Sequence, residues 1–371
     1  MHDFVKLTIA GVKQAAPGAI EVAFKLPDEL RAAFAFRPGQ HVNLRAGIDG
    51  VETRRSYSIC SDPADADLRI AIKRVDGGHF SQWAHAHFVA GAAIDVSPPA
   101  GRFALKPGDG EARKILGIAA GSGITPVISI VRHALRTEPL TGVTLIYGNR
   151  TVEDILFRDE LEDLKDRHLD RFTLINVLSR GDMTDTPLLE GRIDGAKLEA
   201  LAAGLAVKEL AHVYLCGPGS LIKDARNTLF GLGVPRDRVH HEFFAAGGGA
   251  YRATLQSGAV SGAAAANPPA PEPATAAPAE TEVVATLDGL VHRFPMRGEE
   301  TVVDAALRAG IRVPYACKGG MCCTCRAQVL QGEAVMKLNY SLEAWEIEKG
   351  FVLTCQAVGR SPRLVLDYDQ M

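Results

Sequence analysis

Four cysteines near the end of the chain constrain its fold more than any other feature. Cys317, Cys322 and Cys325 follow the spacing Cys-x4-Cys-x2-Cys, and Cys355 follows after 29 intervening residues. This spacing is typical of [2Fe–2S] proteins in which three thiolates on one loop surround the cluster and a fourth comes from elsewhere in the chain. The two glycines at 319 and 320 suit such a loop, because glycine adopts positive φ and brings backbone N–H groups close to sulfur. The sequence therefore predicts an iron–sulfur module.

A structural zinc site is the alternative for the same four thiolates. Zinc sites more commonly pair one Cys-x2-Cys with a second, whereas here the second half contributes only Cys355. Cys323 matches no ligand position and is interpreted as a bystander thiol. Five of the seven cysteines lie between 317 and 355, and the chain shows no export signal, so metal ligation is favoured over disulfides.

Length and charge narrow the class of protein. The 371 residues exceed the usual size of one hydrophobic core, so two or three domains are expected. The 41 basic and 44 acidic residues give no indication of a nucleic-acid partner. The first residues lack the pattern of a signal peptide, and the longest apolar stretch, 115–131, is interrupted by glycine and proline. A cytoplasmic protein without a membrane segment is expected.

Changes in composition and hydrophobic periodicity along the chain predict three domains and a linker. Short alternating apolar runs indicate an antiparallel β-barrel over 1–108. Apolar strands that alternate with helical patterns, one helix starting at Val152, indicate a doubly wound α/β domain over 109–245. Residues 246–280 are rich in Ala, Pro and Gly and predict a linker. An α+β module is predicted over 281–371.

Two motifs in the barrel region suit a phosphate-bearing aromatic ligand. Arg55-Ser56-Tyr57-Ser58 ends a strand pattern, and Gly77-Gly78-His79-Phe80-Ser81 is a turn that opens a helix. Such a turn presents backbone N–H groups and a positive dipole end to a pyrophosphate. Taken singly, the first motif is consistent with an exposed strand face and the second with an ordinary helix-entry turn.

Three motifs in the doubly wound region follow strands, where ligands of such sheets bind. Gly121-Ser122-Gly123-Ile124-Thr125-Pro126 opens a helix but lacks the third glycine of the usual dinucleotide motif. Ser179-Arg180 could receive the 2′-phosphate of NADPH, with a plain surface loop as the alternative. Cys216-Gly217-Pro218 is equally consistent with a buried thiol followed by a turn.

Together these motifs resemble the ferredoxin-NADP reductase-like oxidoreductases fused to a plant-type ferredoxin, and the resemblance spans the chain apart from the linker. It implies a flavin barrel, a nicotinamide domain and a β-grasp ferredoxin domain, with FAD, NADPH (NADH less favoured) and a [2Fe–2S] cluster. It implies a reacting group of Ser58, Thr125, Cys216 and Glu242. It implies cluster ligation by Cys317, Cys322, Cys325 and Cys355. The cofactor-binding set it implies is Arg55, Ser56, Tyr57, Ser58, Gly78, His79, Phe80, Ser81, Gly121, Ser122, Gly123, Thr125, Ser179, Arg180, Cys216, Gly217, Pro218 and Phe244.

The carboxyl-terminal position of the ferredoxin narrows the resemblance to certain oxygenase reductases. These take a hydride from NADPH onto FAD and pass single electrons through the cluster to an oxygenase. By the same resemblance, segments 353–358 and 365–369, together with Ser179-Arg180, imply the di-iron phenylacetyl-CoA 1,2-epoxidase of phenylacetate degradation as partner. A Rieske-type aromatic-ring oxygenase or another monooxygenase is the first alternative. A zinc-stapled binding or regulatory protein is the alternative from another class.

Overall fold

The computed structural model describes residues 4–180, 186–243 and 278–370. The described residues divide into two compact units, one of residues 4–180 and 186–243 and a second of residues 278–370. The predicted linker, 246–280, lies outside the described residues except for 278–280. Among the described residues, no helix combines the length and apolar character that crossing a membrane requires.

The first unit opens with the predicted antiparallel barrel. Its strands are Val5–Ala16 (β1), Ala19–Lys25 (β2), His41–Ile48 (β3), Val51–Ser58 (β4), Asp67–Lys73 (β5) and Ala93–Val96 (β6), with helix His79–His87 (α1) after β5. They pair in the order β4-β3-β6-β1-β2-β5. An isolated bridge between Ile59, the residue after β4, and Ile70 of β5 connects the two edges of this sheet. Leu68, Ile70 and Ile72 of β5 alternate into the barrel core, as the period-2 pattern predicts.

The second half of this unit is a parallel sheet covered on both faces. Its elements are Lys114–Ala120 (β7), Ile124–Thr137 (α2), Gly142–Asn149 (β8), Arg158–Arg167 (α3), Phe172–Leu178 (β9), Gly195–Ala202 (α4), Leu210–Gly217 (β10), Gly219–Gly231 (α5) and Val239–Phe243 (β11). The strand order is β11-β10-β7-β8-β9. Ile115 of β7 packs in one core, and Leu116 in the core on the opposite face. The winding reverses between β7 and β10, where doubly wound sheets open a ligand crevice.

The helix after β8 differs from the prediction. It begins at Arg158 and not at Val152, so the expected start was wrong by six residues. Phe157 has a φ of +57°, which a continuous right-handed helix does not allow. In addition, the Leu156 N–H donates to Tyr147 Oη at 3.3 Å and so is held by the sheet.

The second unit is the predicted α+β module. Its elements are Glu280–Leu287 (β12), Leu290–Arg297 (β13), Val302–Arg308 (α6), Arg326–Gln331 (β14), Ala334–Met336 (β15), Ala344–Glu348 (α7), Phe351–Leu353 (β16), Ala357–Gly359 (β17) and Arg363–Asp367 (β18). The main sheet has the order β13-β12-β18-β14-β16. Its last strand in sequence, β18, is central and pairs parallel with β12 and antiparallel with β14. Asp369 then accepts 2.8 Å hydrogen bonds from the N–H groups of Asp288 and Gly289 at the β12–β13 turn.

Candidate functional site

The predicted flavin motif occupies the end of β4. Arg55 is exposed, and Ser56 Oγ donates to Asn43 Oδ1 on the neighbouring strand at 2.7 Å. The Tyr57 ring lies 5.8 Å from that of Phe80, with 41° between the planes. Phe80 belongs to the first turn of α1, so this contact brings the strand motif and the glycine turn together. Burial raises the pKa of Tyr57 and keeps the phenol neutral.

The glycine turn before α1 has no space for a side chain at position 78. A Cβ on Gly78 would lie 2.8 Å from Ser81 Oγ and 2.9 Å from Val75 Cβ. Ser81 Oγ accepts from the Val75 N–H at 3.1 Å and donates to the Gly78 carbonyl at 3.2 Å, which fixes the turn. Among the described residues, no side chain caps α1. Its first N–H groups, beginning at the exposed His79, therefore fit an anion such as a pyrophosphate.

A buried hydroxyl and a carboxylate join the barrel to the parallel sheet. Ser58, 3% exposed, donates from Oγ to Oε2 of Glu242 at 3.1 Å. The other oxygen of Glu242 lies 3.8 Å from Nδ1 of His41, which is opposite Ser58 in the β3–β4 ladder. Burial lowers the pKa of His41 to about 4, so the imidazole is neutral at physiological pH. The carboxylate thus lies between two uncharged polar groups.

Glu242 also lies beside Cys216, since the two residues are paired in the β10–β11 ladder. Burial, and secondarily the charge of Glu242, raises the pKa of Cys216 well above its ordinary value. The side chain is therefore a neutral thiol. Gly217 is buried next to it, and Pro218 immediately precedes α5.

The loop Gly121–Gly123 is a 3-10 turn between β7 and α2 that closes against the end of β10. Gly123 meets the carbonyl group of Cys216 so closely that a Cβ would overlap it. Gly121 has a φ of +52°. Thr125, 1% exposed, donates to the Ser122 carbonyl at 3.0 Å. The two glycines thus let the loop approach the crevice at the β7–β10 switch point.

Ser179 and Arg180 follow β9 at the same edge of the sheet. Their N–H groups donate to the carbonyls of Asn149 at 2.9 Å and Arg150 at 2.7 Å, and the Arg180 side chain is exposed. Within the described ranges, no hydrogen bond joins Arg180 to the glycine loop. Phe244, also predicted to bind a cofactor, lies outside the described residues.

Three residues that the sequence did not indicate contact this site. His41 approaches Glu242, as described above. Tyr147 Oη donates to the Gly121 carbonyl at 3.0 Å. Lys73 Nζ lies 3.9 Å from where a Cβ of Gly121 would be. Of the three, only Lys73 could have been found from the sequence, because it ends the strand that precedes the turn at Gly77-Gly78.

The four predicted cluster ligands form two thiol pairs. A hydrogen bond from the Cys322 thiol lowers the pKa of Cys317 to about 6, and the N–H groups of Gly319 and Met321 act in the same direction against burial. A hydrogen bond from the Cys325 thiol likewise lowers the pKa of Cys355. The pKa values of the two donor thiols are raised well above normal by these same bonds and by burial.

Neighbouring groups position these sulfurs. The Gly319 N–H lies 3.3 Å from Cys317 Sγ, and Gln356 Nε2 lies 3.7 Å from Cys355 Sγ. Thr354 Oγ1 donates to the Cys325 carbonyl at 2.8 Å and accepts from Tyr368 Oη at 3.0 Å. Within the described ranges, no three His, Cys, Asp or Glu side chains are arranged as around a single metal ion. Four sulfurs in two pairs fit a binuclear iron–sulfur cluster with thiolate ligands.

Comparison with protein-family models gives three consecutive matches. Residues 7–105 match the oxidoreductase FAD-binding domain, residues 118–227 the oxidoreductase NAD-binding domain, and residues 285–359 the 2Fe-2S iron-sulfur cluster binding domain. The third match does not support the zinc alternative for the four cysteines.

Similar proteins have the same extent. The chain is 38% identical to a subunit of the 1,2-phenylacetyl-CoA epoxidase of Escherichia coli (strain K12), over 100% of this chain and 99% of that protein. It is 34% identical to the 3-ketosteroid-9-alpha-monooxygenase ferredoxin reductase component of Rhodococcus rhodochrous, over 98% and 97%. Among solved structures, phthalate dioxygenase reductase covers 98% of each chain at a TM-score of 0.57 and 24% identity, and shares the fold.

Proposed function

This chain belongs to the oxygenase reductase components that combine FAD-binding, NAD-binding and [2Fe–2S] domains, and we propose that it carries electrons from NADPH to the oxygenase of a multicomponent system. The observation that carries the proposal is the Ser58–Glu242 hydrogen bond. It joins the end of the flavin-motif strand to the carboxyl edge of the nicotinamide sheet, within the unit that carries both motifs.

The cofactors would be held by groups already described. Arg55 and the turn at Gly78 would bind the FAD pyrophosphate, and Tyr57 would contact the isoalloxazine ring. The loop at Gly123 would bind the nicotinamide nucleotide. The four paired cysteines would ligate the cluster. When bound, FAD would supply the acceptor for a hydride from NADPH, and the cluster would supply onward transfer of single electrons.

The reacting end of the site would be shaped by uncharged groups around one carboxylate. Ser58 holds a proton at Oγ, directed at Glu242. The neutral thiol of Cys216 and the hydroxyl of Thr125 are almost completely buried, so they exclude water from the nicotinamide side. Glu242 stays partly exposed at 14% and connects Ser58 to solvent for proton exchange.

The preference for NADPH rests on Arg180. Its exposed guanidinium follows β9, at the sheet edge where the adenosine half of a nucleotide would lie. A cationic side chain there favours a 2′-phosphate, and no acidic side chain occupies position 179 or 180.

The proposed partner is a phenylacetyl-CoA epoxidase. Identity to the matched subunit of that enzyme extends over the entire chain and exceeds that to the ketosteroid monooxygenase component. The 34% match to the latter supports a second candidate, the reductase of another monooxygenase. We also propose that the flavin, nicotinamide and ferredoxin domains span residues 1–108, 109–245 and 281–371. The proposed location of the protein is the cytoplasm.

Reconstitution of the full electron path tests the function. The purified chain, NADPH and either a di-iron phenylacetyl-CoA epoxidase with phenylacetyl-CoA or a Rieske oxygenase with its aromatic acid would be mixed, and product would be measured. We expect epoxidation to be at least tenfold faster than ring hydroxylation. Equal rates would contradict the partner assignment. A protein that NADPH and NADH both fail to reduce would contradict the reductase function itself.

A further inference from the structure

We propose that helix α2, together with Glu160 of α3, sets the distance between the nicotinamide loop and the flavin strand, and that Ser129 and Glu160 are positioning residues for hydride transfer. This inference rests on the proposed function. It concerns the contacts between the barrel and the parallel sheet, which both belong to the first compact unit.

Helix α2 connects the two halves of the candidate site. Its first turn contains Thr125 and directly follows the loop Gly121–Gly123. Farther along the helix, Ser129 Oγ donates to the Ser61 carbonyl at 2.7 Å, and both residues are fully buried. Ser61 is three residues beyond Ser58, the end of β4. A single helix therefore starts at the nicotinamide loop and is hydrogen-bonded to the segment that follows the flavin strand β4.

Further contacts on the same face of α2 hold the segment after β4. Asp62 accepts from Arg136 Nη2 at 2.8 Å and lies 3.2 Å from His133 Nδ1. Arg132 Nη1 donates to the Cys60 carbonyl at 3.3 Å. The helical contributors, 129, 132, 133 and 136, have the i, i+3, i+4, i+7 spacing of one helix face. Three consecutive barrel residues, 60–62, are thus bonded to one face of the helix.

Glu160 extends this connection from α3 to the barrel wall. Its carboxylate lies 3.3 Å from Lys13 Nζ, 3.2 Å from Arg69 Nη1 and 3.3 Å from Arg132 Nη1. Lys13 and Arg69 belong to barrel strands, and both also pair with Glu21, which is 3% exposed. Removing the charge of Glu160 would leave these cations with less compensation at a partly buried interface.

The chemistry gives these contacts a role beyond stability. Reaction rates depend steeply on the separation of the reacting atoms, and a displacement of about 1 Å can cost roughly a hundredfold in rate. The two sides of the reaction come from different domains, so the interface between the domains controls that separation. Ser129 and Glu160 contact neither motif directly and would act through position alone.

The test compares Ser129→Ala and Glu160→Gln with Glu162→Gln in the FAD-loaded full-length protein. Glu162 lies on the same helix as Glu160, but its ion pair is with Arg158 within the helix. Rapid mixing at saturating NADPH would give the flavin reduction rate and the NADPH–flavin charge-transfer absorbance. FAD content, the Kd for NADP⁺, the unfolding temperature and amide exchange over 59–65 would be measured alongside.

We expect both variants to reduce their flavin ten- to a hundredfold more slowly, with a weaker charge-transfer band and faster exchange over 59–65. Their FAD content and Kd should stay within twofold of native, and Glu162→Gln should behave as native. Native reduction rates in both variants would overturn the inference. Rates that fall only in proportion to FAD content or unfolding temperature would overturn it too, by assigning a purely structural role. A native protein that neither nucleotide reduces would instead refute the function on which the inference rests.

Discussion

Ser58 Oγ donates a 3.1 Å hydrogen bond to Oε2 of Glu242, a residue 184 positions away in the sequence. This bond joins two domains at the place where a flavin and a nicotinamide would meet. Its donor is almost completely buried, and its acceptor keeps a small exposed surface. Removing either partner's polar atoms therefore tests whether this bond takes part in flavin reduction.

Removing the Ser58 hydroxyl should slow flavin reduction by about ten- to a hundredfold, because hydrogen bonds to a charged group contribute about 1.5–3 kcal/mol. The measurement is the rate of flavin bleaching by saturating NADPH in Ser58→Ala. Thr53→Ala removes a hydroxyl from the same strand, where it donates to the Val51 carbonyl away from the site, and should leave the rate unchanged. An unaffected Ser58→Ala protein would exclude a role for this bond.

Replacing Cys355 with Ala should separate the two redox functions. The variant should keep NADPH-to-ferricyanide activity, which is read at the flavin, while cytochrome c reduction and the iron–sulfur EPR signal disappear. Cys323→Ala provides the matched control, since Cys323 lies in the same loop but matches no ligand position, and should retain both activities. Parallel loss of both activities in Cys355→Ala would contradict the order flavin before cluster.

Charge removal at Arg180 should weaken NADPH selectivity. We expect Arg180→Ala to raise the KM for NADPH by about tenfold or more and to leave the KM for NADH within twofold, because one charge-assisted phosphate contact is lost. Arg167→Ala is the control, since that exposed arginine pairs with Asp163 within α3. If the two KM values shift together, Arg180 does not recognise the 2′-phosphate.

Acidification should lower the folding stability of the flavin–nicotinamide unit, because His41 is held in its neutral form in the folded protein. Its pKa is lowered by burial to about 4 in the folded protein and is near 6.5 when unfolded, so below pH 6.5 the unfolded chain binds the extra proton. Stability present above pH 6.5 is then lost as the pH falls towards 4, by about 2 kcal/mol at pH 5. Flavin fluorescence would report the FAD-release temperature at pH 7.5 and pH 5.

In that experiment His41→Gln should show a clearly smaller drop between the two pH values than the native protein. His87→Gln, which changes an exposed histidine on α1, should show the native drop. An undiminished drop in His41→Gln would mean that other groups cause the acid sensitivity.

Local patterns allowed much of this molecule to be predicted. The cysteine spacing predicted the iron–sulfur module, and strand and helix periodicity predicted the three domain types. Interactions between distant segments could not be predicted in this way. Nothing near His41 or Glu160 in the sequence indicates which residues they meet, because those partners are selected by how the barrel and sheet pack. The start of α3 was missed for a similar reason, since the backbone at Phe157 is held left-handed.

The central position of β18 has a consequence for how the cysteine module becomes complete. Strands β12 and β14 contact each other only through β18, so neither has its inner partner until residues 363–367 have joined the sheet. A chain cut before Arg363 would expose two unpaired sheet edges, which promote aggregation. Pairing between segments so far apart in the sequence also makes this step slow. Until β18 has joined the sheet, the thiols of the four predicted cluster ligands would be open to oxidation. Iron loading should therefore be most efficient under reducing conditions.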